Sequence, residues 1–245
     1  MTLRCACLIL MVVGGACAAD LSFDIPAVPL TLDVSGQPLT ITVSGEVAQE
    51  SAQSFHLKLT ADLTGLQSHI TPLLAAQLNQ SNKCGERIVL ERASLTPDAP
   101  HAKLTAQVHV EKWACIKAFG RENATKLVSG DATINMTLAP RVGEDTVKLD
   151  AEIGGIDADG TLGQLLHSDF GNVLRDKICE SLRRAIEKSA GMEVMVPQQV
   201  KPFVTVQSVE FAERGTGILL MNLAGHASVP VDLAPSVLDQ FRGRR

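Results

Sequence analysis

Alternation of apolar and polar residues recurs in this chain more persistently than any other pattern, and it limits the fold to one built mainly of half-buried strands. Phe55, Leu57, Leu59, Ala61 and Leu63 alternate with His56, Lys58, Thr60 and Asp62. The same period sets Leu104, Ala106, Val108 and Val110 against Lys103, Thr105, Gln107 and His109. It returns in Ala132, Ile134, Met136 and Leu138, and again in Val147, Leu149, Ala151 and Ile153. Shorter stretches of the same kind run from Leu21 to Val34, from Leu39 to Val43, and through Ile88, Leu90 and Leu95. Pro26 and Pro29 mark the first of these as an edge strand with bends. Met192 to Pro197 reads as a further strand, and Phe203–Phe211 with Ile218–Ala227 form a closing hairpin over Gly215-Thr216-Gly217.

Two stretches change period. Between Gly65 and Gln80, Leu66, Ile70, Leu73, Leu74 and Leu78 recur at helical spacing, with Pro72 fitting the first turn and Thr71 its cap. The longer stretch, Asp157 to Ser189, carries Leu162, Leu166, Phe170, Leu174, Ile178, Leu182 and Ile186 at every fourth position. A strict four-residue step drifts by about 40° each time on a straight helix. Two shorter helices broken at Ser168–Gly171 keep the apolar face together, with Ser168 or Asp169 as cap of the second. Leu174, Ile178, Leu182, Ala185 and Ile186 then share one face, most of the charges lie off it, and Gly191 is the stop. A long sheet with one apolar face needs cover, and these helical stretches are the cover available. The expectation is an α+β fold: a long, strongly curved antiparallel sheet wrapped around two helical segments, or one long helix if it is unbroken near Ser168–Gly171.

The N-terminus reads as a leader. Arg4 precedes the apolar run Leu8–Val13, too short to span a bilayer, and Ala16-Cys17-Ala18 fits a small-x-small cleavage site. Residues 1–18 are therefore expected to be a signal peptide, 19–229 a single domain and 230–245 a loose tail. Cys17 would allow lipid anchoring, but Gly14 stands where such signals want a leucine-like side chain. The expected location is the bacterial periplasm or the secreted fraction, with no transmembrane segment in the mature chain. The net charge is −5 and becomes −6 once Arg4 is removed with the leader, which argues against a nucleic-acid partner. Three cysteines follow the leader, and Cys84–Cys115 is the expected disulfide because both lie at strand ends while Cys179 falls within a helix. Cys179 reads as a small buried hydrophobe.

The order of strands, Asp-Gly-x-Leu-Gly at Asp159–Gly163, helix and closing hairpin resembles bacterial periplasmic members of the tubular lipid-binding (TULIP-like) superfamily. Lys83-Cys84-Gly85-Glu86-Arg87-Ile88 with Lys112-Trp113-Ala114-Cys115 is similar to a group of uncharacterised exported bacterial proteins. The resemblance covers most of Leu21 to Val229. It implies a groove or tube between helix and sheet that holds an acyl chain or similar apolar ligand. Aromatic residues make up 3% of the chain, with no tyrosine, so the lining would be aliphatic.

Catalytic and metal patterns are weak by comparison. Cys84, His109 and Cys115 are zinc-ligand types, but their spacing fits no common zinc pattern and a disulfide is simpler. Asp157-Ala158-Asp159-Gly160 begins like a calcium loop yet runs into a helix without the further oxygen ligands such a loop needs. Gly-x-Ser-x-Gly is absent, so the chain is not expected to be an enzyme, and no cofactor or metal is expected. Asn79, Asn123 and Asn135 head glycosylation triplets that matter only in a eukaryote, whereas the leader reads as bacterial. Leu66, Ile70, Leu74, Leu166, Phe170, Leu174, Ile178 and Leu182 are the candidate ligand-lining residues, plain core packing being the competing role. Each buried methylene contributes roughly 0.8 kcal/mol, so an acyl chain can be held without a polar motif. The expected function is non-catalytic binding or transfer of a lipid or other apolar molecule. The alternative is a structural or interaction protein of the cell envelope with a packed core and a protein partner.

Overall fold

The computed structural model describes residues 22–34, 37–51, 53–79, 84–118, 121–143, 147–166, 172, 176, 179–180, 184 and 204–228. Nine strands and two helices follow one another as β1 (Ser22–Val34), β2 (Gln37–Gln49), β3 (Ser54–Asp62), α1 (Thr64–Leu78), β4 (Gly85–Asp98), β5 (His101–Ala118), β6 (Arg121–Val142), β7 (Val147–Ala158), α2 (Gly160–Leu166), β8 (Val204–Arg214) and β9 (Ile218–Ser228). The strands form two antiparallel sheets. The first has five strands in the order β1-β2-β3-β9-β8, and the second is the meander β4-β5-β6-β7.

This corrects the expected architecture. There are two sheets rather than one long curved sheet, and among the described residues no long helix runs through them: α1 has 15 residues and α2 has 7. The physical reason lies in pairing. β3 takes β9 as its second neighbour, with Leu59 opposite Leu223 and Ala61 opposite Met221. β3 therefore has no free edge for β4, and α1 carries the chain across to start a second sheet. Asn172, Asp176, Cys179, Glu180 and Arg184 are helical. Ser168–Gly171, Phe170, Leu174, Ile178, Leu182 and the strand expected at Met192–Pro197 lie outside the described residues, as do the leader and the tail.

One apolar core joins the sheets. Val108, Val110, Ala102, Leu104 and Ala106 of β5 are fully buried, as are Ile134 and Met136 of β6, and Leu90 and Leu95 of β4 are nearly so. They meet Leu39, Ile41 and Ala61 from the first sheet, Ile70, Leu73, Leu74 and Leu78 from α1, and Leu162 from α2. Leu162 sits over Gly130 so closely that a methyl group there would lie 2.8 Å from the leucine Cβ. The two sheets are also joined by a hydrogen bond from the Phe211 amide to the Pro100 carbonyl, 3.1 Å.

α1 begins earlier than the sequence suggests. Asp62 Oδ1 accepts from both the amide and the hydroxyl of Thr64, at 3.0 and 2.6 Å, which fixes the chain as it enters the helix. Pro72 therefore stands well inside the helix instead of in its first turn, and Thr71 is no cap. The Thr71 hydroxyl instead donates to the Ala93 carbonyl and accepts from the Ala93 amide, both at 2.9 Å. The Gln67 side-chain amide donates to the Leu95 carbonyl at 3.0 Å, and Asn79 Oδ1 accepts from the Leu90 amide at 2.8 Å. From Gln67 to Asn79 the helix rises about 18 Å, and from Leu95 back to Leu90 the strand covers about 17 Å. The polar stripe of α1 thus matches the edge of β4 in length and runs antiparallel to it.

Candidate ligand-binding face

The first sheet carries the candidate site because its inward apolar face continues beyond the core. Cross-strand register builds that face in rows. The row Val28–Val43–Ala61–Met221–Phe211 belongs to the core or packs against it through its last four members. The next row on the same face is Ile25–Gly45–Leu59–Leu223–Val209, and the one after it is Phe23–Val47–Leu57–Gly225–Val206. Every member of both rows is apolar or glycine, and none belongs to the core cluster. Leu57, Leu59, Val47, Phe23, Ile25, Val206 and Val209 are half-buried. Five strands in register make each row about 19 Å wide, from four interstrand spacings of about 4.8 Å.

Two glycines shape the middle of this face. A methyl group on Gly45 would lie 2.3 Å from the Lys58 carbonyl oxygen, and one on Gly225 would lie 2.4 Å from the Thr205 carbonyl oxygen. Any larger residue at either position would force neighbouring strands apart. The glycines also leave Leu57 and Leu59 without large side chains directly beside them on one flank, which deepens the centre of each row.

Bulges keep the rows continuous. Ile25 and Val28 are three residues apart, as are Val206 and Val209, yet each pair shares the inward face because the register shifts between them. One extra residue in a strand returns the following side chains to the original side. The outward rows are correspondingly polar: Asp24–Glu46–Lys58–Ala224–Ser208, and then Ser22–Ala48–His56–His226–Thr205.

Of the residues expected to line a ligand site, Ile70 and Leu74 are buried in the core and Leu66 packs against it half-buried. Leu166 lies in α2, and Phe170, Leu174, Ile178 and Leu182 fall outside the described residues. α1 thus brings Leu66, Ile70 and Leu74 to the core end of the face, away from the two open rows. Sequence reading missed those rows because alternation identifies a strand and its two faces without saying which face meets another layer. The signal available was the density of apolar residues in Phe55–Leu63 and Leu219–Leu223.

Cys84 and Cys115 form the expected disulfide, with Cα atoms 5.7 Å apart. It lies just beyond the last β4–β5 pair, Gly85 with Trp113. The bonded pair leaves no Cys84–His109–Cys115 zinc site. Cys179 is a buried thiol. β7 ends at Ala158, one residue after Asp157, and Gly160 opens α2 with φ 59°, so the Asp-Gly segment is a strand-to-helix turn.

The second sheet carries a charged node on its outward face. Glu111 is 8% exposed and accepts from Lys126 Nζ at 2.6 Å and Trp113 Nε1 at 3.0 Å, with Arg87 Nη1 at 3.6 Å. The Lys126 ammonium also lies over the Trp113 ring, 5.4 Å from its centroid. The hydrogen bond from Lys126, followed by that from Trp113, holds the Glu111 carboxyl below its ordinary value against the opposing effect of desolvation. Asp62 is lowered too, chiefly by the Thr64 hydroxyl, with Arg214 adding to it. A depressed carboxyl adds stability that is complete above its unfolded pKa and is lost as pH falls through the folded one. Urea midpoints are therefore expected to hold above the ordinary glutamate value and decline below about pH 4. Glu111→Gln should flatten that decline, which a series of urea melts between pH 7 and pH 3 measures.

Together the two sheets, their common core and the open apolar rows define a two-layer, mainly antiparallel β protein with helical edges. No family model matches the chain, and no curated protein matches it. Among solved structures the chain is similar to a crystal structure of lipopolysaccharide binding protein, at 10% identity and a TM-score of 0.37. The match covers 72% of this chain and 34% of the other, so the chain spans about a third of that protein's length. A likeness of that size does not establish a shared fold. Among the described residues no helix is long and apolar enough to cross a membrane.

Proposed function

We propose that the protein binds a lipid or similarly apolar molecule without catalysing a reaction on it, and that the inward face of the first sheet is where it binds. The observation that carries this reading is the pair of five-strand apolar rows, half-buried except at Leu223 and Gly225 and outside the core cluster. Aliphatic side chains five strands wide suit an acyl chain, since binding then needs only burial at roughly 0.8 kcal/mol per methylene. The disulfide suits an exported chain, and we place the protein in the periplasm or the secreted fraction on the strength of that bond and the leader-like N-terminus.

Native mass spectrometry of the protein purified from that compartment, followed by solvent extraction, tests the reading. A discrete added mass that extracts as lipid is the expected result. Leu57→Asp with Leu59→Asp should lower uptake of a fluorescent fatty acid by about tenfold or more, the loss of roughly two methylenes' burial. Leu66→Ala, at the far end of the face, should leave uptake near that of the wild type. A clean apo mass together with no fatty-acid uptake would overturn the proposal and leave a protein partner as the reading to pursue.

A further inference from the structure

The outward face of the first sheet holds a second group of residues with a different chemistry. His56 on β3 stands directly opposite His226 on β9. Their rings meet edge to face with centroids 5.2 Å apart and an interplanar angle of 76°. Glu50, from the β2–β3 turn, reaches over both. Its Oε2 lies 3.0 Å from His226 Nδ1 and its Oε1 lies 3.7 Å from His56 Nδ1. One donor atom from each residue falls within 4.8 Å of the other two.

The surroundings hold this carboxylate in place. The Glu50 and Ser51 amides both donate to the Ser54 carbonyl, at 2.9 and 3.1 Å, and the Ser54 hydroxyl donates to Glu50 Oε2 at 3.3 Å. The histidines are fixed by the sheet, where directly opposed residues have Cβ atoms about 4.5–5.5 Å apart. His56 Nδ1 faces Glu50 at a distance too long for a hydrogen bond, while its Nε2, on the other side of the ring, is buried without a hydrogen-bond partner.

We infer that Glu50, His56 and His226 form a binding site for a divalent transition-metal ion of the zinc class. Zinc takes imidazole nitrogen and carboxylate oxygen at about 2.0–2.2 Å. Tetrahedral bonds of that length set donors about 3.3–3.5 Å apart; Glu50 comes within a few tenths of an ångström of this with each histidine, through Oε2 to His226 Nδ1 at 3.0 Å and through Oε1 to His56 Nδ1 at 3.7 Å. Two imidazoles and one carboxylate neutralise half of the ion's charge and leave a coordination position for water. Ser54 serves as an outer partner that orients the carboxylate, a role such residues commonly play around metal ligands. The ion would join the β2–β3 turn to β9, three strands that pair through the middle of the first sheet. This inference does not rest on the lipid reading, because it concerns the opposite face of the sheet.

The test uses the tag-free full chain, stripped with a chelator and dialysed. Calorimetric titration with zinc chloride is expected to show one equivalent bound, and cobalt chloride should give the visible absorption of a low-coordinate Co(II) site. Removing an outer partner of a metal site costs about 10–100-fold in affinity, so removing a ligand in His226→Ala should cost at least about 100-fold. Glu50→Gln, in an exposed turn, is the second variant and should weaken binding similarly with its circular dichroism unchanged. His109→Ala is the control, since Glu91, His109 and Asp131 form another group of possible ligands. There His109 Nδ1 already lies 2.5 Å from Asp131, and this variant should bind zinc as the wild type does. Absence of binding by the wild type would overturn the inference. So would binding unchanged in both His226→Ala and Glu50→Gln, or binding abolished by His109→Ala.

Discussion

Leu74→Ala is expected to destabilise the protein by about 3–5 kcal/mol, as buried leucine truncations do when the cavity cannot close. Leu74 is 0% exposed on α1, within the core that α1 shares with both sheets. Strands backed by other strands cannot move inward to fill the space, so both the transfer loss and the cavity loss should be felt. Half-buried Leu66, about two turns earlier on the same helix, should cost less when truncated. Chemical denaturation of the two variants measures both. The result also decides what Leu74 does. A loss under about 1 kcal/mol would mean that the side chain borders open space, because a fully packed leucine cannot be removed so cheaply.

Breaking Cys84–Cys115 is the second large effect expected. The bond closes a loop of 31 residues, for which the chain-entropy model gives about 3.7 kcal/mol at 25 °C. Its location supports a cost of that order. β5 and β6 continue pairing past the start of β4, through Ala114 with Thr125 to Ala118 with Arg121. The disulfide braces the point where the three-stranded sheet narrows to that two-stranded ribbon. Cys84→Ser with Cys115→Ser, compared with the oxidised wild type in urea, should lower the midpoint without changing which residues form the core. A difference under about 1 kcal/mol would show that the β4–β5 ladder holds this end unaided.

Individual strands were legible in the sequence, and the reason is local: a period of two needs only neighbours in the chain to be seen. Their assembly was not. Leu59 and Leu223, or His56 and His226, are adjacent across the sheet yet lie far apart in the chain, and no periodicity relates them. Bulges hid more. Leu90 and Ala93, Ile153 and Ile156, and Val206 and Val209 break the period, and the register shifts beside them return each pair to one face. A reading that demands strict alternation ends a strand at such points; β6, read only from Ala132 to Leu138 of its 22 residues, has its own irregularity where Leu127 is left over between the pairs Lys112–Val128 and Trp113–Lys126. Pro72 misled for a related reason. Its preference for a first turn is a weak prior, and the hydrogen bonds from Thr64 to Asp62 outweigh it. The disulfide was readable because it depends on a few residues at strand ends, whereas the ligand face depends on five strands meeting.

The contacts between α1 and β4 have a consequence for how the protein behaves among its own copies. An exposed strand edge is a template on which another chain's strand can grow. At Leu90, Ala93 and Leu95 the backbone groups of β4 are engaged by Asn79, Thr71 and Gln67, so an incoming strand would have to displace a whole helix face first. Along the opposite edge of that sheet, β7, no helix among the described residues makes hydrogen bonds of this kind, and the strand presents exposed Lys148, Asp150, Glu152 and Asp157. One side of the sheet is protected by occupation and the other by charge. Conditions that lift α1 would therefore turn this edge into a polymerisation surface before they unfold the sheet itself.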